Sequence, residues 1–398
     1  MADVQADPKD IVVVGAVRTP QGRMLGSLSS LTSVDLGSLV IKGALDKAKV
    51  SADNVDYVLM GQVIQAGSGQ NPAKQAAVKA GISIDVPAAT INKVCLSGLD
   101  AVINASRLIK LGDADVVVAG GQESMSNAPH IAAGVRAGKG YGALKLEDSL
   151  ERDGLADPNE GTAMGFETDN NAAKAGLNRE EQDDIAAKSH QRAEAAANDG
   201  IFDAEILPVE VKKRKETVTV DTDEGVRAGT TAEGLAKLRP AFVKDGTITA
   251  ASSSQISDGA AAVVLTSRKY AEDNGLDILA TLGDYGQTAG PDTSLLSQPS
   301  QAVKAALTKA GWSVDDLDFL EINEAFAAVV AQSLKDLDYS LDKTNIHGGG
   351  ISQGHPIGAS GARLVVHAAH ELARRGSGKS AVSLCGGGGQ GDALLLWR

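Results

Sequence analysis

Two stretches of this chain resemble each other closely enough to constrain its fold. Residues 45–61, LDKAKVSADNVDYVLMG, align with residues 307–323, LTKAGWSVDDLDFLEIN, at a constant offset of 262. The identical pairs are Leu45/Leu307, Lys47/Lys309, Ala48/Ala310, Ser51/Ser313, Asp53/Asp315 and Asp56/Asp318. The pair Ser97-Gly98 falls on Ser360-Gly361 in almost the same register, at an offset of 263. A repeat kept over this distance predicts two similar structural units.

Each copy of the repeat has the pattern of an α/β unit. Both Ser-Gly pairs precede a stretch with apolar residues at helical spacing, namely Leu99, Val102 and Ile103 in the first copy and Leu364, Val365, Ala368 and Leu372 in the second. A glycine-containing turn and a short apolar strand follow, DVVVAGG (115–121) and AVSLCGG (381–387). We therefore expect two α/β halves related by a pseudo-twofold axis. The alternative is that two unrelated segments share common small residues by chance.

The repeat also suggests how the chain is divided. We expect a first half formed by residues 1–120 and 250–275, and a second half formed by residues 276–398. Residues 121–249 are more polar and predict an inserted lobe, with an acidic helix near 178–197. The insertion carries the basic run Lys212, Lys213, Arg214 and Lys215. We interpret this run as a solvated surface, with a phosphate contact as the alternative.

Composition excludes several classes of protein. The net charge of −13 argues against a protein that coats nucleic acid, which needs an excess of Lys and Arg. Two cysteines cannot form a disulfide framework for 398 residues, and no Cys/His cluster has the spacing of a metal site. The acidic N-terminus lacks the features of a presequence, and no apolar run approaches the ~20 residues that span a bilayer. These features predict a cytoplasmic protein without a membrane span.

The repeat also predicts the position of a catalytic site. Cys95 and the segment around His355 both lie just before a Ser-Gly pair and its helix, so two helix N-termini should converge on one site. A helix N-terminus lowers the pKa of a thiol and stabilises an oxyanion. Cys95 is therefore a candidate nucleophile and His355 a candidate base. The alternatives are that Cys95 is a small buried apolar residue and that His355 is structural, as we expect for His347 and His367.

Two glycine-rich motifs near the C-terminus do not predict a nucleotide site. The run CGGGGQG, which opens with Cys385, lacks the following helix and the acidic residue that a dinucleotide fingerprint needs. The segment GSGKS (376–380) lacks the first glycine of a P-loop and precedes a strand. Two thiols, one imidazole and many free backbone N–H groups remain. That set suits acyl transfer and enolate stabilisation.

A series of motifs spans nearly the whole chain in a fixed order. They are VRTPQGRMLGSL (17–28), GQNPAKQAA (69–77), NKVCLSGLDA (92–101), GGQESMSNAP (120–129), KLRPAF (237–242), SDGAAAVVL (257–265), NEAFA (323–327), GHPIGASGAR (354–363) and CGGGGQGDA (385–393). In these motifs the chain resembles the thiolase family, and most closely its acetyl-CoA acetyltransferase branch.

The resemblance implies a role for each candidate catalytic residue. Cys95 matches the nucleophile that takes an acyl group from an acyl-CoA, and His355 matches the base that activates it. Cys385 matches the second thiol, which removes a proton from the methyl group of the incoming acetyl-CoA. Asn323 matches the residue that positions a water in one oxyanion hole together with His355. The backbone N–H groups of Cys95 and Gly387 match a second oxyanion hole.

The resemblance also implies which residues contact the substrate. Arg227 and Ser254 match contacts to the nucleotide and pantetheine parts of coenzyme A, and Met164 matches a residue that lines the acyl pocket. The motifs add Phe242, Ala325 and Phe326 to the expected substrate-binding residues. Ala163, where many short-chain members have His, leaves the acyl-chain preference open, and Leu96 and His347 are further departures from the family pattern.

The implied fold is a duplicated five-layered α/β/α/β/α structure with an inserted loop domain. The implied assembly is a homotetramer, a dimer of dimers. The coenzyme A thioester is the substrate, so no separate cofactor or metal is expected.

Three functions remain open from the sequence. The first is an acetyl-CoA C-acetyltransferase, which condenses two acetyl-CoA molecules reversibly through an acetyl-Cys95 intermediate. The second is a degradative 3-ketoacyl-CoA thiolase that acts on longer chains. The third is a non-catalytic, thiolase-like protein that binds lipid or coenzyme A.

Overall fold

The computed structural model describes residues 6–214 and 216–398 as a mixed α/β structure. Its strands are β1 (Ile11–Arg18), β2 (Gly22–Arg23), β3 (Tyr57–Gly61), β4 (Ala88–Ile91), β5 (Val116–Ser124), β6 (His130–Ile131), β7 (Glu147–Asp148), β8 (Ala156–Asp157), β9 (Thr162–Ala163), β10 (Val209–Lys212), β11 (Thr217–Val220), β12 (Ser257–Ser267), β13 (Ala280–Ala289), β14 (Phe319–Ile322), β15 (Lys379–Gly386) and β16 (Gln390–Trp397). Its α-helices are α1 (Ser33–Ala48), α2 (Pro72–Lys79), α3 (Ser97–Leu111), α4 (Met164–Lys174), α5 (Arg179–Asn198), α6 (Ala232–Leu235), α7 (Arg268–Asp273), α8 (Gln298–Ala310), α9 (Ala327–Leu337) and α10 (Ile357–Arg375).

The central sheet has two halves of mirrored strand order. Its order is β14-β15-β16-β13-β1-β12-β5-β3-β4, and β2 pairs with the end of β12. In the first half β3 is parallel to β5 and β5 is antiparallel to β12, and β14, β15 and β16 repeat this arrangement in the second half. The halves join where β1 pairs antiparallel with β13. The predicted duplication is confirmed, and the two repeated sequence blocks contain the equivalent strands β3 and β14.

Helices cover and separate the two halves of the sheet. Helices α1 and α2 pack on the first half, α8 packs on the second half, and α9 packs against α8. Helices α3 and α10 contact each other and also contact strands of the sheet, α3 mainly β5 and α10 both β12 and β15. The layers therefore follow the predicted order α/β/α/β/α. The apolar residues predicted for the repeated helices all lie in the buried cluster between the two sheet halves.

The repeated Ser-Gly pairs mark the place where α3 and α10 cross. A Cβ atom on Gly98 would lie 2.8 Å from the backbone nitrogen of Ala362, and one on Gly361 would lie 2.4 Å from that of Leu99. Both distances are shorter than real Cβ contacts, so only glycine permits this approach. The crossing brings the beginnings of the two helices, one from each half, to a single place beside the sheet.

The segment between β5 and β12 holds short strands and the helices α4, α5 and α6. The predicted acidic helix is confirmed as α5, which packs against α9 of the second half. In the basic run, Lys212 ends β10, and Lys212, Lys213 and Arg214 are all exposed, as expected for a solvated surface. Lys215 lies outside the described residues. Within the described residues, the helices lack the combination of length and apolar character needed to cross a membrane.

Candidate active site

A cavity of about 400 Å³ opens where the two halves meet. Cys95 of the first half lines it together with His355 and Cys385 of the second half. Five of the predicted substrate-binding residues also line it, namely Met164, Phe242, Ser254, Ala325 and Phe326. Most of the remaining lining is apolar, with Leu155, Ile256, Leu295 and Ile357 among its members. The fold therefore brings two thiols and one imidazole together in an apolar pocket.

Cys95 lies in a tight turn just before α3. The preceding residue, Val94, has a φ of +50°, which is rare for a β-branched side chain. Cys95 is buried, with 5% of its surface exposed. Burial raises the pKa of its thiol to about 12, although the backbone N–H groups of Cys95 and Gly387 face the sulfur and favour its charged form. The sequence-based expectation of a lowered thiol pKa is therefore wrong, because burial outweighs the helix N-terminus in the free protein.

His355 lies on a segment fixed by both halves. Its backbone N–H donates to the carbonyl oxygen of Gln255 at 3.1 Å and also lies 3.2 Å from the hydroxyl oxygen of Ser257. Pro356 occupies the N-cap position of α10, which begins at Ile357. Burial lowers the pKa of the His355 imidazole to about 3, and nearby Arg363 contributes to this effect. The imidazole is therefore neutral in the free protein and able to accept a proton.

Ser360 is the hydrogen-bond partner that bears on the tautomer of the His355 imidazole. The hydroxyl oxygen of Ser360 lies 2.6 Å from Nδ1 of His355 and 3.0 Å from the carbonyl oxygen of Pro356. We assign the hydroxyl as a donor to the carbonyl oxygen of Pro356, which can only accept, and therefore as the acceptor of a proton on Nδ1. Nε2 then has a free lone pair. The sequence analysis used Ser360 only as part of the repeat. Its position five residues after His355 is the sequence feature that could have indicated this contact.

Asn323 is fully buried beside this imidazole. Its side-chain nitrogen lies 3.4 Å from Nε2 and 3.5 Å from Nδ1 of His355, so the amide rests against the face of the ring. Its side-chain oxygen has no hydrogen-bond partner among the described residues, although it is buried. Buried amide oxygens are usually paired with protein or ordered water. This oxygen is therefore a suitable partner for a water, as the resemblance implies.

Cys385 lies near the end of β15, where it pairs across the sheet with Gly391 of β16. Burial raises the pKa of its thiol, and the neighbouring Cys95 raises it further. The next residue, Gly386, lies against the side chain of Leu96, whose Cγ would be 2.6 Å from a Cβ at that position. Leu96, a departure from the family pattern, is therefore accommodated by the glycine that ends β15, the strand that carries the second thiol.

Glu123, which the sequence analysis missed, holds backbone segments next to the cavity in place through hydrogen bonds. Its carboxylate accepts hydrogen bonds from the backbone N–H groups of Val63, Ile64 and Gly358. Burial raises the pKa of this carboxyl to about 7, and the three N–H groups act in the opposite direction. Gly358 is in the first turn of α10, so Glu123 links β5 to the segment that follows His355. No periodicity in the sequence indicates this long-range contact.

Some of the remaining predicted residues lie in the cavity wall, and others lie outside it. Phe242 and Phe326 pack edge to face in its wall, with ring centroids 5.9 Å apart. Arg227 is exposed and does not line the cavity, and its backbone N–H donates to Nδ1 of His190 at 3.1 Å. His367 pairs with Glu205 at 2.8 Å and with His347 at 3.1 Å, outside the cavity lining, as expected for structural histidines.

In the part of the chain that the structure describes, no group of three His, Cys, Asp or Glu residues is arranged to hold a metal ion.

Comparison with known proteins agrees with this architecture. The family models of the thiolase N-terminal and C-terminal domains match residues 11–269 and 276–398. The chain is 54% identical to a probable acetyl-CoA acetyltransferase of Mycolicibacterium smegmatis over 388 residues, covering 97% of this chain and 100% of that protein. It is 49% identical to the acetyl-CoA acetyltransferase of Pseudomonas aeruginosa over 392 residues, covering 98% of this chain and 100% of that protein.

Solved structures share the same fold. A crystal structure of the acetyl-CoA acetyltransferase of Bacillus anthracis superposes with a TM-score of 0.95 at 40% identity, covering 98% of both chains. A crystal structure of human mitochondrial 3-ketoacyl-CoA thiolase superposes with a TM-score of 0.94 at 40% identity, covering 98% of this chain and 99% of that one. With both family domains matched in order and relatives aligned over nearly their full length, the chain belongs to the thiolase family of acyltransferases.

Proposed function

We propose that this thiolase is an acetyl-CoA C-acetyltransferase, which condenses two acetyl-CoA molecules to acetoacetyl-CoA and free coenzyme A and also runs in reverse. The observation that carries the proposal is the convergence of Cys95, His355 and Cys385 on one apolar cavity. The backbone N–H groups of Cys95 and Gly387 face the nucleophilic sulfur, which suits an oxyanion hole. The names of the bacterial relatives support acetyl-CoA as the substrate.

In the first half-reaction the sulfur of Cys95 attacks the thioester carbonyl while Nε2 of His355 accepts the thiol proton. The N–H groups of Cys95 and Gly387 stabilise the tetrahedral oxyanion. Coenzyme A leaves as a thiolate and takes the proton of Cys385. The products are acetyl-Cys95, free coenzyme A, a protonated His355 and a Cys385 thiolate. The high pKa of both buried thiols and the low pKa of His355 keep the three groups neutral until substrate binds.

In the second half-reaction the Cys385 thiolate removes a proton from the methyl group of a new acetyl-CoA. The resulting enolate is stabilised by protonated His355 and by a water held by Asn323. The enolate carbon attacks the carbonyl of acetyl-Cys95, the new carbon–carbon bond forms, and the Cys95–carbonyl bond breaks. The released Cys95 thiolate takes the proton from His355. All three groups then return to their starting protonation states, so the cycle balances.

The acylation step can be tested directly by intact-protein mass spectrometry with acetyl-CoA. Wild-type protein should gain one acetyl group, and Cys95→Ser should gain none at that site. Cys385→Ser should still be acetylated but should make acetoacetyl-CoA at least ~10²-fold more slowly, because it lacks the second base. Equal loss of both steps in Cys385→Ser would contradict the division of roles. If wild-type Cys95 stayed unmodified where a known thiolase is acylated, the protein would be a binding module instead.

A degradative 3-ketoacyl-CoA thiolase is the second candidate. Two observations favour it: Ala163 lines the cavity without the bulk of a larger side chain, and a human 3-ketoacyl-CoA thiolase shares the fold. Thiolysis of 3-ketoacyl-CoA esters from C4 to C12 separates the two candidates. The proposal expects kcat/KM to be highest at C4 and to fall with chain length. A maximum at C8 or longer would favour the degradative function.

We further propose a homotetramer without a cofactor, located in the cytoplasm. The exposed apolar side chains of Tyr141, Leu144 and Leu146 support an association surface, as does β4, a half-exposed strand at the edge of the sheet. The absence of a disulfide between the two free cysteines suits a reducing compartment. Light scattering should give the mass of four chains, and activity should survive dialysis against a chelator. Cell fractionation would test the location.

A further inference from the structure

Lys93 and Asp392 form an ion pair between the segment that precedes Cys95 and the strand that pairs with the Cys385 strand. The ammonium group of Lys93 lies 2.8 Å from each carboxylate oxygen of Asp392 and 3.4 Å from Asp100. Asp392 is fully buried, whereas the Lys93 side chain keeps 23% of its surface exposed. A buried carboxylate that meets a cation through two short contacts forms a strong and directional pair. The thiolase chemistry described above assigns no role to either residue.

The pair connects the turn that carries Cys95 to β16, the strand that pairs with the Cys385 strand β15. Lys93 lies two residues before Cys95, in the turn that leads into α3. Asp392 lies on β16 directly opposite Leu384, next to the cross-strand pair of Cys385 and Gly391. The two residues are 299 positions apart in the chain and belong to different halves. The ion pair therefore helps to fix the position of the Cys95 turn relative to the Cys385 strand.

The Cys95 turn needs such support because its backbone is strained. Val94 has a φ of +50°, an unfavourable conformation for a β-branched residue that persists only where neighbouring contacts fix it. The side chain of Asn92 accepts from the N–H of Val94 at 3.1 Å. The hydroxyl of Ser97 accepts from the N–H of Lys93 at 2.8 Å and donates to the carbonyl of Val94 at 2.6 Å. These contacts are all internal to the turn, whereas Lys93 connects it to the second half.

We propose that Lys93 is a positioning residue, which holds the nucleophile turn against the second-thiol strand through Asp392. The inference rests on the proposed function, since it concerns the step that needs both sulfurs. Formation of acetyl-Cys95 needs Cys95, His355 and the local N–H groups, and it uses Cys385 only to protonate the coenzyme A thiolate after that thiolate has left. Carbon–carbon bond formation also needs Cys385 to reach the methyl group of a second substrate beside acetyl-Cys95. A displacement of about 1 Å between reacting groups costs on the order of 10²-fold in rate.

The test compares the two half-reactions in variants of the full-length enzyme. Acylation is followed by rapid quench and intact-protein mass spectrometry with acetyl-CoA, and condensation by acetoacetyl-CoA formation at saturating acetyl-CoA. Lys93→Met removes the charge at similar length, and Lys93→Gln keeps a hydrogen-bond donor if the methionine variant does not fold. Lys93→Arg restores a cation that pairs with a carboxylate through two bonds. Lys269→Met is the matched control, because it breaks an exposed Lys–Asp pair far from the cavity.

We expect the acylation rate to fall by less than about threefold in Lys93→Met and Lys93→Gln, while the condensation kcat falls by about 10- to 100-fold with little change in KM. Lys93→Arg should recover most of the condensation rate, and Lys269→Met should match the wild type. Equal loss of both half-reactions, or no loss, in the uncharged variants would overturn the inference. Failure of the wild type to form acetyl-Cys95 would instead reject the proposed function, so the two failures are distinguishable.

Discussion

Replacing Ser360 by alanine should slow acylation of Cys95 without unfolding the protein. In the tautomer assigned above, the hydroxyl of Ser360 accepts the Nδ1 proton of His355 at 2.6 Å. Both side chains are buried, so water cannot easily replace the lost acceptor. The imidazole must then either leave a buried N–H unpaired or move its proton to Nε2. In the second state Nε2 donates a proton instead of accepting one, and it cannot serve as the base for Cys95.

The size of the effect follows from the cost of the unpaired group. A buried donor left without a partner costs about 1–3 kcal/mol. If the reactive tautomer of His355 is disfavoured by that amount, acylation slows by about 5- to 150-fold, since 1.36 kcal/mol corresponds to a factor of ten. Binding of acetyl-CoA does not involve the Ser360 hydroxyl, so KM should change little. The acylation rate is measured by rapid-quench mass spectrometry at several concentrations of acetyl-CoA.

A second buried serine provides the matched control. The hydroxyl of Ser106 on α3 donates to the carbonyl of Ile103 at 2.7 Å, so it has the same back-bond to its helix but no catalytic neighbour. Ser106→Ala should leave acylation at the wild-type rate, and the change in its unfolding temperature should show the effect of losing only a hydroxyl–helix hydrogen bond. If Ser360→Ala acylated as fast as the wild type, or if both variants slowed acylation equally, the tautomer argument would be refuted.

Three further predictions concern the same pocket. Asn323→Ala should reduce the condensation kcat by about 10²–10³-fold with little change in KM, as expected for a lost oxyanion-hole partner; steady-state kinetics that show only a raised KM would contradict this. His355 has a folded-state pKa of about 3, below its unfolded value, so the unfolded state binds its proton first and stability falls as pH drops from about 6.5. In His355→Asn, the plot of unfolding free energy against pH between pH 4 and 6, measured with denaturant, should therefore have a slope smaller by up to about 1.4 kcal/mol per pH unit; a slope equal to that of the wild type would contradict the lowered pKa. Gly98→Ala should destabilise the fold by about 1–3 kcal/mol, because its Cβ would lie 2.8 Å from the backbone of Ala362; an unchanged unfolding midpoint would show that α3 and α10 can separate freely.

Much of the architecture could be predicted because it depends on local patterns. The repeated block predicted equivalent elements, and those elements are β3 and β14 at corresponding positions of the sheet. Apolar residues at helical spacing predicted the buried faces of α3 and α10, because a helix must bury its apolar side whatever its partner is. The motifs around Cys95, His355 and Cys385 predicted the residues that meet in the cavity. Their catalytic roles stay predictions until the half-reactions are measured.

The tertiary structure alone decided the electrostatics and the fine geometry of the pocket. The sequence predicted a lowered pKa for Cys95, but the pKa is raised because both halves bury the thiol, and burial is a property of the assembled fold. Ser360 orients His355 through a contact that a motif cannot show, since it depends on side-chain directions at the start of α10. The pair of Lys93 and Asp392 joins positions 299 residues apart, so no local pattern indicates it. Sequence alone determined which elements form and which residues could react, whereas their protonation states and mutual placement depended on contacts between distant segments.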